Sequence, residues 1–452
     1  MQLTQALSSL IAAVPAPMAL HPRRGGRVTA FDGMTVQASG IELPVGSVCG
    51  VGPLEVPAEL IGFRDGRALF MGLAALGAVV PGASVLPLGS EPRAQVGAAL
   101  FGRIIDGSGR PLDNGPRIAT SAFWPLEAAV GNPLRRSSVT RPIDVGVRAI
   151  NGLLTLGVGQ RIGIMAGSGV GKSVLLGMMV RNVTADVVVV ALIGERGREI
   201  SDFVASQLDD VARARTIIVA VAANEAPLLR VRGVMRATAI AEYFRSLGRS
   251  VVLIVDSLTR VAHAQREIAL ALGETQGSRG YPASALALLP RLVERAGNDG
   301  ASGGAITAIY TVLADGDDMN DPVVDTARGV LDGHIVLSRG VAQRGLYPAI
   351  DISASVSRVM ADIVSPEHGR AAARFRRAHA LVEENRDLVL MGAYSHGADP
   401  ELDVALALRA TMEAYRAQPR DQVCGMDEAV DSLGRAGFAD EPEDAVPAAG
   451  EA

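Results

Sequence analysis

The chain has 452 residues, of which 48% are hydrophobic and 20% are charged, and its formal net charge is −5. This length suffices for about three domains, and the apolar fraction excludes a globally disordered chain. The acidic balance and an aromatic content of only 4% argue against a nucleic-acid-binding surface and against RNA-stacking platforms. Two cysteines, Cys49 and Cys424, cannot build a disulfide framework or a zinc site alone, and they fit a reducing cytosol.

The first domain is predicted within residues 1–92. The N-terminus is a poor signal peptide, and residues 1–14 place apolar side chains on one helical face. This pattern predicts either a helical end that packs on its own domain or a short helix that docks onto a partner. Between residues 27 and 89, short apolar runs separated by glycines predict a small antiparallel β-barrel. Residues 68–90 carry no charge, but their glycines and prolines favour strands and turns over a transmembrane helix.

The second domain is predicted at residues 93–362. Between residues 159 and 339, continuous apolar runs alternate with helical patterns, which predicts an α/β fold with a parallel sheet covered on both faces. Beyond residue 363 the sequence becomes helical, and we predict a C-terminal helical domain at residues 363–452. Its last dozen residues are rich in Asp, Glu, Pro and Ala, which predicts a disordered tail.

A phosphate-binding loop follows the first strand of the α/β region. Residues 166–173 read Ala-Gly-Ser-Gly-Val-Gly-Lys-Ser, a Walker A loop with alanine in place of the usual first glycine. Glycines let backbone N–H groups turn towards phosphate oxygens, and the following helix adds its positive end. The predicted nucleotide-binding residues are Gly167, Ser168, Gly169, Val170, Gly171, Lys172, Ser173 and Val174.

Lys172 is the only lysine among the 43 basic residues of the chain. Because a compact ammonium and a broad planar guanidinium differ in size and donor geometry, a site that needs the former cannot accept arginine. We predict that Lys172 reaches the β- and γ-phosphates of ATP and that the Ser173 hydroxyl coordinates Mg²⁺.

Two acidic residues end predicted strands, at the edge where ligands bind to open parallel sheets. Asp256 occupies the Walker B position, where it would hold Mg²⁺ directly or through water; the alternative is a helix cap. Glu195 follows the strand 186–194, where a carboxylate could orient the water that attacks the γ-phosphate. The alternative is a surface ion pair of Glu195 or Glu199 with Arg196 or Arg198.

Long motifs in a fixed order resemble those of the flagellar and type III secretion export ATPases, relatives of the catalytic subunits of F- and V-type rotary ATPases. The matching segments are residues 102–116, 141–164, 166–179, 191–199, 255–274, 280–298, 316–339 and 347–360. The resemblance implies a RecA-like P-loop core between an N-terminal barrel and a C-terminal helical domain. It also implies Mg²⁺-dependent hydrolysis of ATP that energises the export of flagellar proteins.

The resemblance also assigns roles to single residues. Glu195 matches the glutamate that polarises the attacking water, and Arg196 and Arg260 match arginines that approach the phosphates. Tyr347 matches a tyrosine that stacks on adenine. The second aromatic residue of that pocket is not evident, and residues 418–420, Gln-Pro-Arg, stand near its expected place. The identity of the base is therefore open.

Arg358 matches the arginine finger that one subunit supplies to the nucleotide of its neighbour, although taken alone it would be read as an ordinary surface arginine. The match implies a homo-oligomer, with a ring of six expected. The implied partners are stator or regulator proteins of the export apparatus, a central-stalk protein and chaperone–cargo complexes, and no nucleic acid. The implied location is the cytoplasm, peripheral to the membrane export gate.

Competing functions differ in recognisable features. A non-catalytic rotary subunit usually lacks the glutamate present here as Glu195, and a proton-driven ATP synthase subunit would carry an acidic lever that this sequence does not contain. A hexameric RNA translocase shares the core, but the acidic pI speaks against RNA. An ATPase of a virulence-type (injectisome) secretion system is the main alternative. Residues 262–274 look closer to flagellar sequences, which favours flagellar export.

Overall fold

The computed structural model describes residues 25–438, apart from residues 78, 89–92, 121, 129–133, 135, 315–317 and 319. The predicted N-terminal helix and the predicted acidic tail lie outside the described residues. Contacts divide the chain into two compact units, residues 1–91 and 92–452. The finer division at residues 92 and 362 stays a prediction.

The first unit is a closed barrel of six antiparallel strands. The strands are β1 (Gly26–Phe31), β2 (Thr35–Ser39), β3 (Val48–Val51), β4 (Val56–Arg64), β5 (Arg67–Gly72) and β6 (Ser84–Pro87). Their order around the barrel is β1-β2-β5-β4-β3-β6, and closure leaves no unpaired sheet edge. Leu60 and Phe70 are fully buried in its core. The predicted barrel is therefore confirmed.

The described residues of the uncharged segment 68–90 lie in strands β5 and β6 and in turns or loops, with Gly77, Pro81 and Gly82 outside the strands. Strands and turns are therefore found here, as the sequence predicts. Among the described residues, no helix combines the length and apolarity needed to cross a bilayer.

The second unit contains the remaining strands. They are β7 (Arg93–Val96), β8 (Ile104–Ile105), β9 (Ala122–Pro125), β10 (Pro142–Ile143), β11 (Leu156–Gly157), β12 (Arg161–Ala166), β13 (Val187–Glu195), β14 (Thr216–Ala222), β15 (Ser250–Asp256), β16 (Gly297–Asn298), β17 (Ala305–Leu313), β18 (Gly333–Leu337) and β19 (Ile350–Ser357). Nine of them form one sheet in the order β19-β18-β12-β17-β15-β13-β14-β8, with β16 beside β17. Only β16 and β19 pair antiparallel in this sheet.

The helices of the second unit are α1 (Arg148–Leu153), α2 (Lys172–Asn182), α3 (Gly197–Ser206), α4 (Asp210–Ala214), α5 (Pro227–Ser246), α6 (Leu258–Ala271), α7 (Ala283–Val293), α8 (Pro322–Val330), α9 (Arg339–Gln343), α10 (Met360–Ile363), α11 (Pro366–Glu384), α12 (Arg386–Leu390), α13 (Pro400–Ala407), α14 (Arg409–Arg416) and α15 (Met426–Leu433). The described residues of this unit also contain two short 3₁₀ turns, Ala98–Leu100 and Ser278–Gly280, and a π-helical turn, Gly434–Phe438. Helices α10 to α15 form the C-terminal helical region, as predicted.

The large sheet is buried on both faces. Every residue of β13 is buried, and alternate side chains enter two different cores: Val187 and Val189 belong to one, Val188 and Val190 to the other. Since successive side chains of a strand point to opposite faces, an apolar run without alternation is what a doubly covered sheet requires. The predicted parallel sheet, covered on both faces, is confirmed.

The helical region is fixed to the sheet through buried contacts. Phe375 of α11 lies 5.4 Å from the ring of Tyr415 and 5.0 Å from that of Phe438. The buried Arg416 guanidinium donates a 2.9 Å hydrogen bond to the Ile350 carbonyl at the start of β19. Burial lowers the pKa of His379 to about 4, and its neutral ring lies 3.3 Å from the Arg416 Nη1. These contacts bring the end of α14 close to the loop that precedes β19.

Candidate active site

The Walker A loop connects β12 to α2 at the carboxyl edge of the parallel strands. Gly169 and Gly171 have φ values of 79° and 88°, the left-handed region that other residues rarely adopt. No side chain caps the start of α2, so its first N–H groups remain available to a ligand. The side chain of Val170 is buried in the core, so this predicted binding residue can contribute only its backbone. The loop has the geometry of an anion site.

Lys172 lies between the two predicted acidic residues. Its Nζ forms an ion pair with Asp256 and lies 3.5 Å from Glu195 Oε1, and all three side chains are largely buried. Thr311 on β17 donates a 2.6 Å hydrogen bond to Asp256. Burial lowers the pKa of Lys172, but the carboxylates of Asp256 and Glu195 outweigh it and the pKa is raised. The ammonium is therefore held charged at the mouth of the loop.

Glu195 enters the site through an irregularity in the sheet. The register of β13 against β14 shifts between Ile193 and Glu195, which re-aims the side chain at the end of the strand. Gly194 between them has φ 71°, and a Cβ there would lie only 2.9 Å from Cβ of Arg260. A glycine is required at this position because the stem of Arg260 crosses directly over it.

Burial raises the pKa of Glu195 to about 7; Lys172 lowers it, while Asp256 and Glu199 raise it further. A carboxyl group with a pKa near neutrality is matched to taking a proton from water at physiological pH. Of the surface pairs considered as the alternative, the structure contains the one between Arg196 and Glu199, at 3.3 Å. Glu195 is not part of it and faces Lys172.

The two arginines predicted to approach phosphate differ in their environment. Arg260 lies in the first turn of α6 and borders the cavity, and its buried Nε has no hydrogen-bond partner. An orphaned buried donor at this place fits an anionic ligand. The side chain of Arg196 is 82% exposed at the cavity rim.

A cavity of about 440 Å³ joins these groups. It is lined by Ala166, Gly167, Ser168, Gly169, Gly171, Lys172, Ser173, Val174, Glu195, Arg196, Glu199, Arg260, Leu313 and Ala314. Within the described part of the chain, no cluster of three or more His, Cys, Asp or Glu could hold a metal alone. The Ser173 hydroxyl and the Asp256 carboxylate nevertheless fit Mg²⁺, which takes few protein oxygens and completes its shell with phosphate and water.

Tyr347 lies beside the Walker loop. A Cβ built on Gly171 would be 3.5 Å from Cδ1 and Cε1 of the Tyr347 ring, and this ring is half exposed. Gln418 lies next to Tyr347, since the backbone N–H of Gln418 donates a 2.8 Å hydrogen bond to the Tyr347 carbonyl. The Gln418 side chain is buried and bonded to backbone groups, so it cannot itself stack on a base. The structure thus brings together the two segments that the sequence associates with the base.

Arg358 is remote from this cavity. It follows β19, whose last residue, Ser357, pairs with Gly333 at the start of β18, whereas the Walker loop leaves the opposite end of β12. Gly163 pairs with His334, next to Gly333, and Ala166 lies three residues further along β12. At the usual rise of a strand, the start of the Walker loop is therefore about 10 Å along the sheet from the end that carries Arg358. Arg358 is exposed and donates 3.3 Å to the Arg328 carbonyl. It cannot serve the cavity of its own chain.

The sequence assigns no role to Thr311, indicates only a surface pair for Glu199, and places Gln418 near the base without predicting its contacts. Thr311 is one of two threonines in the buried strand β17, and a buried hydroxyl is a usable signal for a polar neighbour. Glu199 forms the surface pair with Arg196, and it also lines the cavity. Nothing in the local sequence marks the contacts of Gln418.

The nucleotide-binding domain of the ATP synthase alpha/beta family matches residues 146–357, and the T3SS EscN ATPase C-terminal domain matches residues 364–435. The chain is 50% identical to the flagellum-specific ATP synthase of Salmonella typhimurium, over 89% of this chain and 92% of that protein. It is 49% identical to the protein of the same name from Pseudomonas aeruginosa, over 88% and 89%. Its identity to the type 3 secretion system ATPase of Xanthomonas euvesicatoria is 42%, over 91% and 93%.

Solved structures agree in fold over the same extent. The assembled ATPase EscN from the type III secretion system of enteropathogenic E. coli superposes with a TM-score of 0.87 at 39% identity, covering 91% of this chain and 99% of that chain. EscN in complex with its central stalk EscO superposes with a TM-score of 0.85, with the same identity and coverage.

Proposed function

This chain belongs to the family of flagellum-specific ATP synthases and type III secretion ATPases and is an ATP-hydrolysing enzyme, and from that premise we propose that it energises the export of flagellar proteins. The observation that carries the catalytic part is the buried ammonium of Lys172 between Glu195 and Asp256, at the mouth of a glycine-rich loop.

Each residue of the site has a role in ATP hydrolysis that follows from its position. Backbone N–H groups of residues 167–173 bind the β- and γ-phosphates, and Lys172 neutralises the charge that moves onto the leaving oxygens. Glu195 holds the attacking water and takes its proton, while Arg260 donates to the γ-phosphate. Ser173 and Asp256 would hold Mg²⁺, which would act as a Lewis acid on the phosphate charge. Tyr347 stacks on the base.

Flagellar export is favoured over an injectisome role by sequence similarity. Both flagellar relatives described above are 49–50% identical to this chain, against 42% for the Xanthomonas ATPase and 39% for EscN, while the flagellar protein of Bacillus subtilis, at 41%, falls in the same range as the latter two. Since the fold is common to both groups, fold alone does not discriminate between them. Residues 262–274 point in the same direction as the identities.

The oligomeric state and the partners are also proposed from similarity to relatives. EscN is described as an assembled ATPase and in complex with a central stalk. We propose that this chain forms a ring of six, contacts a central stalk and the stator proteins of the export apparatus, and receives chaperone–cargo complexes. It works in the cytoplasm at the inner face of the membrane export gate, without nucleic acid.

Replacing Glu195 with glutamine is expected to lower ATP turnover by about 10²-fold or more while nucleotide binding stays largely intact, because only water activation is lost. Steady-state phosphate release and titration with a fluorescent ATP analogue measure the two quantities. The matched control is Glu384→Gln, the same change at an exposed residue ending α11, which should alter neither. Equal losses of binding and turnover would show that Glu195 is only a structural partner of Lys172.

The export role is tested in cells of the source bacterium that lack the gene. The wild-type chain and Glu384→Gln should restore secretion of hook and filament subunits into the medium, and Glu195→Gln should reduce it by at least about tenfold, in step with turnover. Secretion that stays high with Glu195→Gln would separate export from hydrolysis. Restored secretion of needle and translocon proteins instead would identify the injectisome alternative.

A further inference from the structure

The loop that carries Tyr347 is held by a segment of the helical region. Tyr347 lies between α9 and β19, and its carbonyl accepts a 2.8 Å hydrogen bond from the N–H of Gln418, two residues after α14. On the other side, the Tyr347 ring borders Gly171 of the Walker loop. The position of Gln418 therefore bears directly on the distance between this ring and the phosphate-binding loop.

The side chain of Gln418 fixes that position. It is 3% exposed, its Oε1 accepts from the N–H of Arg148 at 2.7 Å, and its Nε2 donates to the carbonyls of Gly146 and Gln422 at 2.9 and 2.8 Å. The amide thus joins the start of α1 to the turn at residues 418–422. One acceptor and two donors in a single planar group are what these three backbone partners need.

A second, independent contact supports the same loop. Arg344, just after α9, forms a 2.7 Å ion pair with Glu383 near the end of α11. Loss of the Gln418 amide would therefore loosen the loop without releasing it. The Walker loop is held directly by β12 and by the start of α2, whereas α2 contacts the turn at residues 418–422 only through its last turn, where Arg181 donates a 2.8 Å hydrogen bond to the Arg420 carbonyl.

We propose that Gln418 is a positioning residue for the nucleoside part of the substrate: it sets the Tyr347 ring against the Walker loop so that a base fits between the loop and the helical region. The inference rests on the proposed role of Tyr347 at the base. Gln418 acts only through Tyr347 and touches no reacting atom. Its contribution concerns binding of ligands that carry a base and leaves binding of the phosphate chain unchanged.

Gln418→Glu is the sharpest variant, since it keeps size and one acceptor but removes both donors and places a carboxylate against two carbonyls. We expect the KM for ATP to rise by about tenfold, with kcat within about twofold, since ground-state binding alone is weakened. Inorganic tripolyphosphate, which has no base, serves as a competitive probe, and its inhibition constant should stay within about twofold of the wild-type value. Gln343→Glu, the same change at an exposed residue of α9, should alter neither quantity.

Tyr347→Ala separates this inference from the proposed function. Suppose that Tyr347→Ala raises the KM for ATP and leaves the inhibition constant of tripolyphosphate unchanged. If Gln418→Glu then leaves the KM for ATP unchanged, the positioning role is wrong and the base site stands. If Tyr347→Ala leaves the KM unchanged, the base contact itself is wrong. A parallel loss of ATP and tripolyphosphate binding in Gln418→Glu would mean general distortion and would overturn the proposal. Should Gln418→Glu fail to fold, Gln418→Met, which removes the polar groups without adding charge, is read by the same criteria.

Discussion

Lys172→Arg is expected to lose ATP turnover almost as completely as Lys172→Ala, by at least about 10²–10³-fold, the loss typical of removing a preorganised electrostatic contact. The ammonium of Lys172 is buried between Asp256 and Glu195, with 3.5 Å to the latter. A guanidinium is broader and carries fixed donor directions, so it cannot occupy this gap and point at phosphate at the same time. The chain has retained lysine at this position alone.

The arginine variant is the more informative of the two. Lys172→Ala leaves two carboxylates buried without their cation, and loss of one partner of a buried ion pair costs about 3–5 kcal/mol of folding stability. Lys172→Arg keeps the charge, so its loss of turnover cannot be ascribed to that cost. Thermal unfolding and phosphate release measured on both variants make the distinction. Near-normal turnover in Lys172→Arg would refute the requirement for a compact charge.

Two kinds of feature in this site can be predicted from the sequence: contiguous motifs, and residues that end parallel strands of one sheet. The Walker loop is contiguous, so its glycines and Lys172 can be recognised directly. Asp256 and Glu195 are 61 residues apart, yet both end strands of a parallel sheet, and parallel strands present their carboxyl ends at one edge. Their meeting at Lys172 is therefore predictable without coordinates.

Other features depend on contacts that no pattern records. The hydrogen bond from Thr311 to Asp256 and the amide contacts of Gln418 arise from how distant segments pack. The resemblance assigns Tyr347 to the base, but only the structure shows its ring beside Gly171. The resemblance predicts that Arg358 lies away from the Walker loop of its own chain, but the edge of the sheet at which it lies depends on the antiparallel pairing of β19 with β18.

That pairing underlies the second large expected effect, the loss of activity in Arg358→Ala. Arg358 is exposed at the amino edge of the sheet, opposite the carboxyl edge that carries the Walker loop. If it stabilises the transferring phosphoryl group, it does so in a neighbouring subunit, where such an arginine accelerates turnover by roughly 10³–10⁵-fold. Specific activity of the wild-type protein should then rise with protein concentration, because assembly completes the site. Arg249→Ala, at another exposed arginine, should leave activity unchanged.

Mixing two inactive variants tests the trans arrangement directly. Lys172→Ala damages the Walker side of a subunit, and Arg358→Ala damages the side that carries the finger. In a ring assembled at random from equal amounts of both variants, each side of a junction is intact in about half of the cases, so about a quarter of the junctions have both sides intact. The mixture should therefore recover up to about a quarter of wild-type turnover. A mixture of Lys172→Ala with Glu195→Gln should recover nothing, since both changes lie on the Walker side and no junction escapes damage. If both mixtures form rings and both stay inactive, or if dilute monomer hydrolyses ATP at the full rate, Arg358 does not act across the junction.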